Sequence, residues 1–371
     1  MAGGRRMNAI SMRSSLLRQM TRETPTELWV DSCEPRALER AIARGATGAT
    51  TNPVIVMQAI EADRPRWDEI TRALVRDHPS DDEESIAWRL VALAASEGAM
   101  LLWPTFERHG GTRGRLCVQA SPRVYRDASR MIGQAMQLAQ IAPNVAVKLP
   151  TTAAGLVAME ELTARGVVIN ATVSFSVAQA LAAASAVDRG LARLDPRVDH
   201  ELITPWITIM AGRIDDHLRD LVTKRGAGKT PEIELDVDLV RHASTAIVRR
   251  AYRLFRERGH RATLLVAAMR SHHHWSEFIG GELVITIPPE WQDAFDDSGV
   301  EVRSRIDDQV DPAIVEELAR QLPDFVRAYE PDGMHPGEFE SFGASIKTLR
   351  QFLGALDRLV AYVRDVMLPT T

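Results

Sequence analysis

Lysine is the residue type in this sequence that most invites a chemical interpretation. Only four of the 45 basic residues are lysines, and arginine supplies the rest. Arginine stays protonated, whereas a lysine removed from water loses its proton readily and can act as an amine nucleophile. Lys148 lies in the otherwise apolar run Asn144–Pro150. A lysine kept there indicates attack on a carbonyl carbon as its chemistry.

The alternation around Lys148 predicts that its side chain points inward. In a strand, Ala146 and Lys148 share one face, while the bulky Val145, Val147 and Leu149 share the other and suit a layer of helices. The alternative is a structural ion pair with a carboxylate. We favour the nucleophile because Asp and Asn side chains are expected to converge on it.

Asp31 ends the first candidate strand, directly after Leu-Trp-Val. A carboxylate there could take the proton of a substrate hydroxyl during cleavage of a carbon–carbon bond. Its alternative role is to cap the helix that begins near Pro35.

Other polar residues end or follow further candidate strands: Thr51, Asn52, Gln119, Ser121, Asn170, Thr172, Thr208, Arg213 and Arg270. The two asparagines could donate hydrogen bonds to sugar hydroxyls, or they could be ordinary turn and strand-end residues. The two arginines suit a phosphate group, and their alternative is a solvated surface position.

Two further motifs carry no functional prediction. Gly226–Thr230 looks like the end of a phosphate-binding loop, but Thr223 stands where the first glycine is required and no strand precedes it. The triplet His272–His274 does not favour zinc, because adjacent side chains converge poorly on one ion. No metal is therefore expected.

Short β-type runs alternate with helical segments along the chain, which predicts an α/β fold, a single (β/α)8 TIM barrel. The predicted strands are Leu28–Ser32, Thr47–Thr51, Leu116–Ser121, Val145–Leu149, Val167–Ser174, Ile207–Ala211, Thr263–Met269 and Leu283–Ile287. The predicted helices are Glu34–Arg44, Ile86–Leu102, Ala128–Ala139, Ala153–Arg165, Ser176–Arg189 and Leu239–Arg258. Catalytic residues of such barrels lie at the carboxyl ends of the strands.

Residues 1–371 are expected to form one catalytic domain. Residues 1–20 are expected to be a flexible arm that leads into a short helix near Ser14–Met20. Residues 312–368 are expected to be helices that complete the outer ring and cover one mouth of the barrel. Segments 105–114 and 189–206 are predicted as loops.

The composition excludes several classes of protein. A net charge of −5 argues against a broad nucleic-acid surface. Two distant cysteines, Cys33 and Cys117, suggest no disulfide framework and fit a reducing cytoplasm. No apolar run approaches the roughly 20 residues of a membrane span, so no membrane partner is expected.

Five motifs together resemble the transaldolase family, in particular its longer bacterial members. They are Trp29-Val-Asp-Ser, Gly48-Ala-Thr-Thr-Asn-Pro53, Val147-Lys-Leu-Pro-Thr-Thr152, Gly166–Gln179 and Gly212-Arg-Ile-Asp215, in order over most of residues 25–300. The Thr-Asn-Pro and Lys-Leu-Pro elements are the most specific.

The resemblance implies a class I mechanism in which Lys148 forms a Schiff base and Asp31 is the acid/base. Thr172 would hold a catalytic water, Asn52 and Asn170 would bind substrate, and Arg213 and Arg270 would clamp its phosphate. The implied reaction transfers a dihydroxyacetone unit between sugar phosphates, as in the pentose phosphate pathway. It needs no cofactor, and the protein would be a monomer or homodimer.

The sequence departs from the family pattern at three places. Gln119 stands where the family usually has a glutamate that activates water. Fructose-6-phosphate aldolases also carry glutamine there but pair it with a tyrosine on the sixth strand, where this chain has Met210. Ala268 replaces a phosphate-binding serine. An aldolase with another donor or acceptor, and a silent sugar-phosphate-binding barrel, therefore remain alternatives.

Overall fold

The computed structural model describes residues 15–225 and 235–368. Within these ranges, eight parallel strands close into a barrel in chain order, and the last strand pairs with the first. The strands are β1 (Glu27–Val30), β2 (Gly48–Thr50), β3 (Arg115–Gln119), β4 (Val145–Pro150), β5 (Ile169–Thr172), β6 (Trp206–Met210), β7 (Thr263–Ala267) and β8 (Val284–Ile287). The predicted (β/α)8 fold is confirmed, and each predicted strand end lies within two residues of the observed one.

Helices surround the barrel and extend beyond it. They are α1 (Leu16–Glu23), α2 (Pro35–Ala43), α3 (Pro53–Ala62), α4 (Arg64–Asp77), α5 (Glu83–Arg108), α6 (Ala128–Leu138), α7 (Ala153–Ala164), α8 (Val177–Ala192), α9 (Ala211–Arg225), α10 (Ala243–Arg258), α11 (His273–Ser276), α12 (Pro289–Asp296), α13 (Pro312–Gln321), α14 (Pro323–Tyr329) and α15 (Gly343–Met367). Short 3-10 helices cover Pro122–Val124, His200–Leu202, Val237–His242 and Pro336–Ser341.

Several predicted boundaries were wrong. Segment 105–114 is helical as far as Arg108, and segment 189–206 begins inside α8 and contains a 3-10 helix. The helices α3, α4, α9, α11 and α12 were not predicted. For α3 a signal was present, because an asparagine cap followed by proline is a typical helix start. The arm before residue 15 and the segment Gly226–Thr230 lie outside the described residues.

Side chains alternate between the barrel interior and the helical layer along each strand. Trp29 of β1 and Trp206 of β6 meet edge to face, with ring centroids 4.6 Å apart, although their strands are not neighbours. The two rings therefore cross the interior and form a floor. Asp31 lies two residues beyond Trp29, and Thr208 and Met210 lie two and four beyond Trp206. The alternation thus places polar groups above an aromatic floor.

The C-terminal helix α15 lies across one flank and reaches the mouth of the barrel. Its buried apolar side chains recur every three or four residues, at Leu349, Phe352, Leu356, Leu359 and Val363, and this stripe packs against α3, α4 and α5. The predicted helical tail is confirmed, and its first half contacts residues at the mouth.

By length and composition, one helix of the described residues, α5, could cross a membrane. This qualifies the prediction that no run approaches such a length. Half of its apolar window is buried inside the fold, where the helix packs against α2, β3 and α15. A core helix of this kind passes the same test, so α5 is explained by its place in the outer layer.

Candidate functional site

A small cavity of about 120 Å³ lies at the carboxyl ends of the strands. Seven of the predicted site residues line it: Asp31, Asn52, Lys148, Thr172, Thr208, Arg213 and Arg270. An amine, a carboxylate, hydroxyls and guanidinium groups therefore meet in one enclosed space. Gln119, Thr51 and Asn170 are not among its lining residues.

Lys148 points into the barrel, as the alternation predicted, and its residue is only 5% exposed. Its register partners are Gln119 of β3 and Asn170 of β5, so neutral amides flank it on both sides. Burial lowers the pKa of the Lys148 amine, and the opposing attraction of Asp31 is smaller. These surroundings favour the neutral amine, which is the form that attacks a carbonyl carbon.

Asp31 is held by hydroxyl groups and does not cap a helix. The cap of α2 is Glu34, whose carboxylate accepts from the backbone of Arg36 and Ala37. Thr50 Oγ1 donates to Asp31 Oδ1 at 2.6 Å and lies 2.8 Å from Thr286 Oγ1. Burial raises the pKa of Asp31, while the charge of Lys148 and the hydrogen bond from Thr50 act to lower it.

Asn52 caps a helix and also faces the cavity. Its Oδ1 caps α3 by accepting from the backbone of Val54 and Ile55, at 2.9 and 3.2 Å. The residue also lines the cavity. Because the cap uses the carbonyl oxygen, the side-chain amide nitrogen is the group left to donate to a ligand.

On β5 and β6, Asn170 is engaged inside the barrel, whereas Thr172 faces the cavity. Thr208 Oγ1 donates to Asn170 Oδ1 at 2.7 Å, and Asn170 Nδ2 lies 3.4 Å from Cys117 Sγ. Thr172 Oγ1 has only a long contact of 3.9 Å to Met210 Sδ. The Thr172 hydroxyl is therefore available to a ligand or water, while Asn170 has its amide already paired.

The turn after Thr172 is strained. Val173, a β-branched residue, has φ 53°, in the left-handed region that such residues rarely adopt. Gln179 of α8 braces this turn, since its Nε2 donates to Val173 O at 3.2 Å and its Oε1 accepts from Phe175 N at 3.0 Å. Backbone strain of this kind persists only where the surroundings hold it, and it clusters at functional sites.

Gln119 and Thr51 are near the site in sequence but do not line the cavity. Both are buried, and neither Gln119 Oε1 nor Thr51 Oγ1 has a hydrogen-bond partner among the described residues. A buried polar atom without a partner costs free energy, of order 1–3 kcal/mol. Gln119 is the register partner of Lys148, so a ligand or water near the amine is the natural partner for its oxygen.

Arg213 projects from the first turn of α9, immediately after β6. Its Nη1 donates to Gln351 and, at 3.4 Å, to Thr348, both on α15, and its guanidinium lies 5.3 Å from the centre of the Phe352 ring. Burial, followed by repulsion from Arg270, lowers the pKa of Arg213 to about 10. The arginine is therefore a mostly desolvated cation at the mouth and not a solvated surface residue.

Arg270 follows β7 and is more exposed. Its Nε donates to Asp216 at 2.8 Å and its Nη1 to Met269 O at 2.7 Å. The approach of the two arginines depends on Gly212, where an added Cβ would lie 1.9 Å from Ala268 O and 2.7 Å from Arg270 Cγ. Only glycine lets α9 begin so close to the end of β7.

Sequence reasoning missed four supporting residues: Thr50 and Thr286, which orient Asp31, and Asp215 and His274, which are buried next to Arg270. Thr50 and Thr286 could have been predicted, because strand alternation places both side chains inside the barrel near Asp31. The partnership of Asp215 with His274 joins α9 to α11 over 59 positions in sequence. No local pattern could have predicted it.

Comparison with protein-family models gives one match, to "Transaldolase/Fructose-6-phosphate aldolase", over residues 28–343. This range contains every strand residue except Glu27 and every residue of the cavity wall.

Similar proteins include the transaldolase of Thiobacillus denitrificans, 28% identical over 333 residues, which are 81% of this chain and 88% of that protein. Transaldolase 1 of Streptomyces avermitilis is 27% identical, over 65% of this chain and 64% of its own length. The transaldolase of Neisseria gonorrhoeae is 30% identical, over 55% of this chain and 60% of its own length. The last two are therefore spanned for less than two thirds of their length.

Proposed function

This chain belongs to the transaldolase/fructose-6-phosphate aldolase family, and we propose that it transfers a three-carbon dihydroxyacetone unit between sugar phosphates through an imine on Lys148. One observation carries the proposal. A desolvated lysine, a carboxylate and two arginines line a single cavity at the carboxyl ends of the strands. These are the groups needed for an amine nucleophile, an acid/base and a phosphate clamp.

In the first half of the reaction, the neutral Lys148 amine attacks the ketone carbon of the donor, and water leaves to give the imine. Asp31 accepts the proton of the hydroxyl two carbons away. The bond between the carbon that bears this hydroxyl and the carbon next to the imine carbon breaks, its electron pair passes into the imine, and an aldehyde departs. A three-carbon enamine remains on the lysine.

In the second half, the enamine attacks the aldehyde carbon of the acceptor, and Asp31 returns its proton to the new hydroxyl. Water then hydrolyses the imine and frees both product and lysine. Thr172 is suited to hold this water, because its hydroxyl faces the cavity without a strong partner. Gln119 can orient water through its unpaired carbonyl oxygen but cannot exchange protons with it.

Asn52 and Thr208 would contact donor hydroxyls from the cavity wall, and the hydrogen bond to Asn170 holds Thr208 in place. Thr51, next to Asn52 in the chain, would be a further substrate contact. Arg213 and Arg270 would bind the substrate phosphate. We place the reaction in cytoplasmic carbohydrate metabolism, with sugar phosphates as substrates and no added cofactor.

The test is borohydride trapping with fructose 6-phosphate, read by intact mass and peptide mapping. The expected result is a three- or six-carbon adduct on Lys148 that is absent from Lys148→Ala. Lys347→Ala is the matched control, because Lys347 is an exposed lysine paired with Asp220; it should label like wild type. Absence of an adduct with this sugar and with free dihydroxyacetone would reject the imine chemistry and favour a silent sugar-phosphate-binding barrel.

A second candidate is an aldolase that releases free dihydroxyacetone. Gln119 favours it, because the family usually has a water-activating glutamate at this position, whereas fructose-6-phosphate aldolases have glutamine. Release of dihydroxyacetone from fructose 6-phosphate without an acceptor would select the aldolase. Release only when an acceptor aldehyde is present would select the transferase.

A further inference from the structure

A buried network lies directly behind Arg270 and involves the histidine triplet that carried no functional prediction. His274 Nε2 lies 2.8 Å from Asp215 Oδ2. Asp215 also accepts from Ser244, at 3.0 Å from the backbone nitrogen and 2.8 Å from the hydroxyl. All three residues are buried, so each polar atom depends on these partners.

The network ends on the backbone of the arginine. Arg270 N–H donates to His274 Nδ1 at 2.9 Å. Because Nδ1 is the acceptor of this bond, Nε2 carries the proton that is donated to Asp215. The carboxylate therefore fixes both the tautomer and the orientation of the imidazole.

The backbone that His274 contacts is itself unusual. Ala268 has φ 67°, in the left-handed region, and its carbonyl oxygen abuts Gly212 at the start of α9. A non-glycine residue in this conformation carries strain that its surroundings must balance. The hydrogen bond from Arg270 N to His274 is placed to hold this turn in its strained form.

We infer that His274, held by Asp215, is a positioning residue that fixes Arg270 for binding a phosphate monoester. The inference rests on the proposed function for the identity of the substrate. Two cationic side chains from adjacent strand ends line the cavity, and a dianionic phosphate is the group that such a pair binds best. An arginine whose backbone is fixed loses less entropy when it binds a ligand. Loss of the bond to His274 should therefore weaken the binding of phosphate, the group that Arg270 contacts.

Two substitutions separate the contacts of the imidazole. His274→Gln can still donate to Asp215 from its amide nitrogen but withdraws the acceptor from Arg270 N–H. His274→Asn places its carbonyl oxygen near the position of Nδ1 and so keeps that acceptor. We expect KM for fructose 6-phosphate to rise about ten-fold in His274→Gln and clearly less in His274→Asn, with kcat nearly unchanged.

Dihydroxyacetone carries no phosphate, so a loss of phosphate positioning should leave its trapping unchanged. A general structural defect would lower it. Borohydride trapping with dihydroxyacetone should proceed in His274→Gln as in wild type. His272→Gln is the matched control, since His272 is the exposed neighbour. If His274→Gln does not fold, Ser244→Ala removes one donor to Asp215 and should raise the same KM about two- to three-fold.

Calorimetric titration with inorganic phosphate keeps the two proposals distinguishable. Weaker phosphate binding in His274→Gln than in His274→Asn supports the positioning role, even if no wild-type adduct forms and the proposed function fails. Three results would each overturn the positioning role. The first is equal phosphate affinity in wild type and His274→Gln, the second is an equal loss of activity with phosphorylated and unphosphorylated substrates, and the third is absence of phosphate binding by wild type.

Discussion

The two halves of the cavity differ in what holds their side chains. In the lysine half, Thr50 and Lys148 project from strands and Asp31 follows β1 directly, and neutral hydroxyls and amides surround them. In the arginine half, Arg213 and Arg270 lie just beyond strand ends, and their partners come from α9 and α15. Exposure differs most between Lys148, which is 5% exposed, and the side chain of Arg270, which is 42% exposed, while Arg213 is mostly desolvated.

This difference shows how one site can combine proton chemistry with binding. Desolvation shifts pKa values most where no counter-ion is in contact, and Lys148 makes no ion pair at 4.0 Å or closer with a described carboxylate. Arg270, by contrast, is paired with Asp216. The lysine half is suited to bond making and breaking, whereas the arginine half keeps its charge and is suited to anion binding.

The largest effect is expected from a change in the lysine half that lowers cleavage and leaves imine formation intact. Asp31→Asn removes the proton acceptor and should lower the cleavage rate by about 10²- to 10⁴-fold. Because Lys148 remains, an unphosphorylated ketone such as dihydroxyacetone should still be trapped. The measurements are aldehyde release and borohydride labelling of the same samples.

Glu34→Gln is a control close in sequence to Asp31. Glu34 caps α2 through its carboxylate, so this change should cost about 1 kcal/mol of unfolding free energy and leave cleavage intact. Equal cleavage in Asp31→Asn and wild type would show that another group moves the proton.

A smaller effect is expected in the arginine half. Arg213→Gln removes charge-assisted hydrogen bonds to phosphate, each worth about 1.5–3 kcal/mol, so KM for fructose 6-phosphate should rise about 10- to 100-fold. Steady-state kinetics test this, with Arg350→Gln as the control for loss of an exposed charge next to Gln351 on the same helix. An unchanged KM in Arg213→Gln, or an equal rise in both variants, would remove Arg213 from the phosphate site.

The smallest expected effect is on the pH dependence of trapping and cleavage, through the charge that the arginine half exerts on the lysine half. Burial lowers the pKa of Lys148 below its ordinary 10.5, so the neutral amine grows in as pH rises and trapping should reach its plateau below that pH. Burial raises the pKa of Asp31 above its ordinary 3.8, so the basic form of Asp31, and with it cleavage, is lost as pH falls through this raised pKa.

The charge of Arg213 acts to lower both of these pKa values. In Arg213→Gln both should therefore rise, and both limbs of the profile should move to higher pH. Initial rates of trapping and cleavage across pH measure the two limbs separately. Limbs that stay in place, or that move equally in Arg350→Gln, would show that the halves are electrostatically independent.

Much of the lysine half could be predicted from the sequence, because strand alternation is a local property. The inward direction of Lys148 follows from Val145, Val147 and Leu149 on the opposite face, and the eight strands follow from the alternation of β-type and helical segments. The barrel then brings the carboxyl ends of its strands to one mouth, which predicts that Asp31 and Lys148 meet.

Only the tertiary structure decided how these groups are held. That Asp31 accepts from Thr50 depends on the register between β1 and β2, and that Asn170 is paired with Thr208 depends on β5 and β6. The contact of Arg213 with Gln351 spans 138 positions. Such contacts are set by how whole elements pack, and a pattern read along the chain contains no information about them.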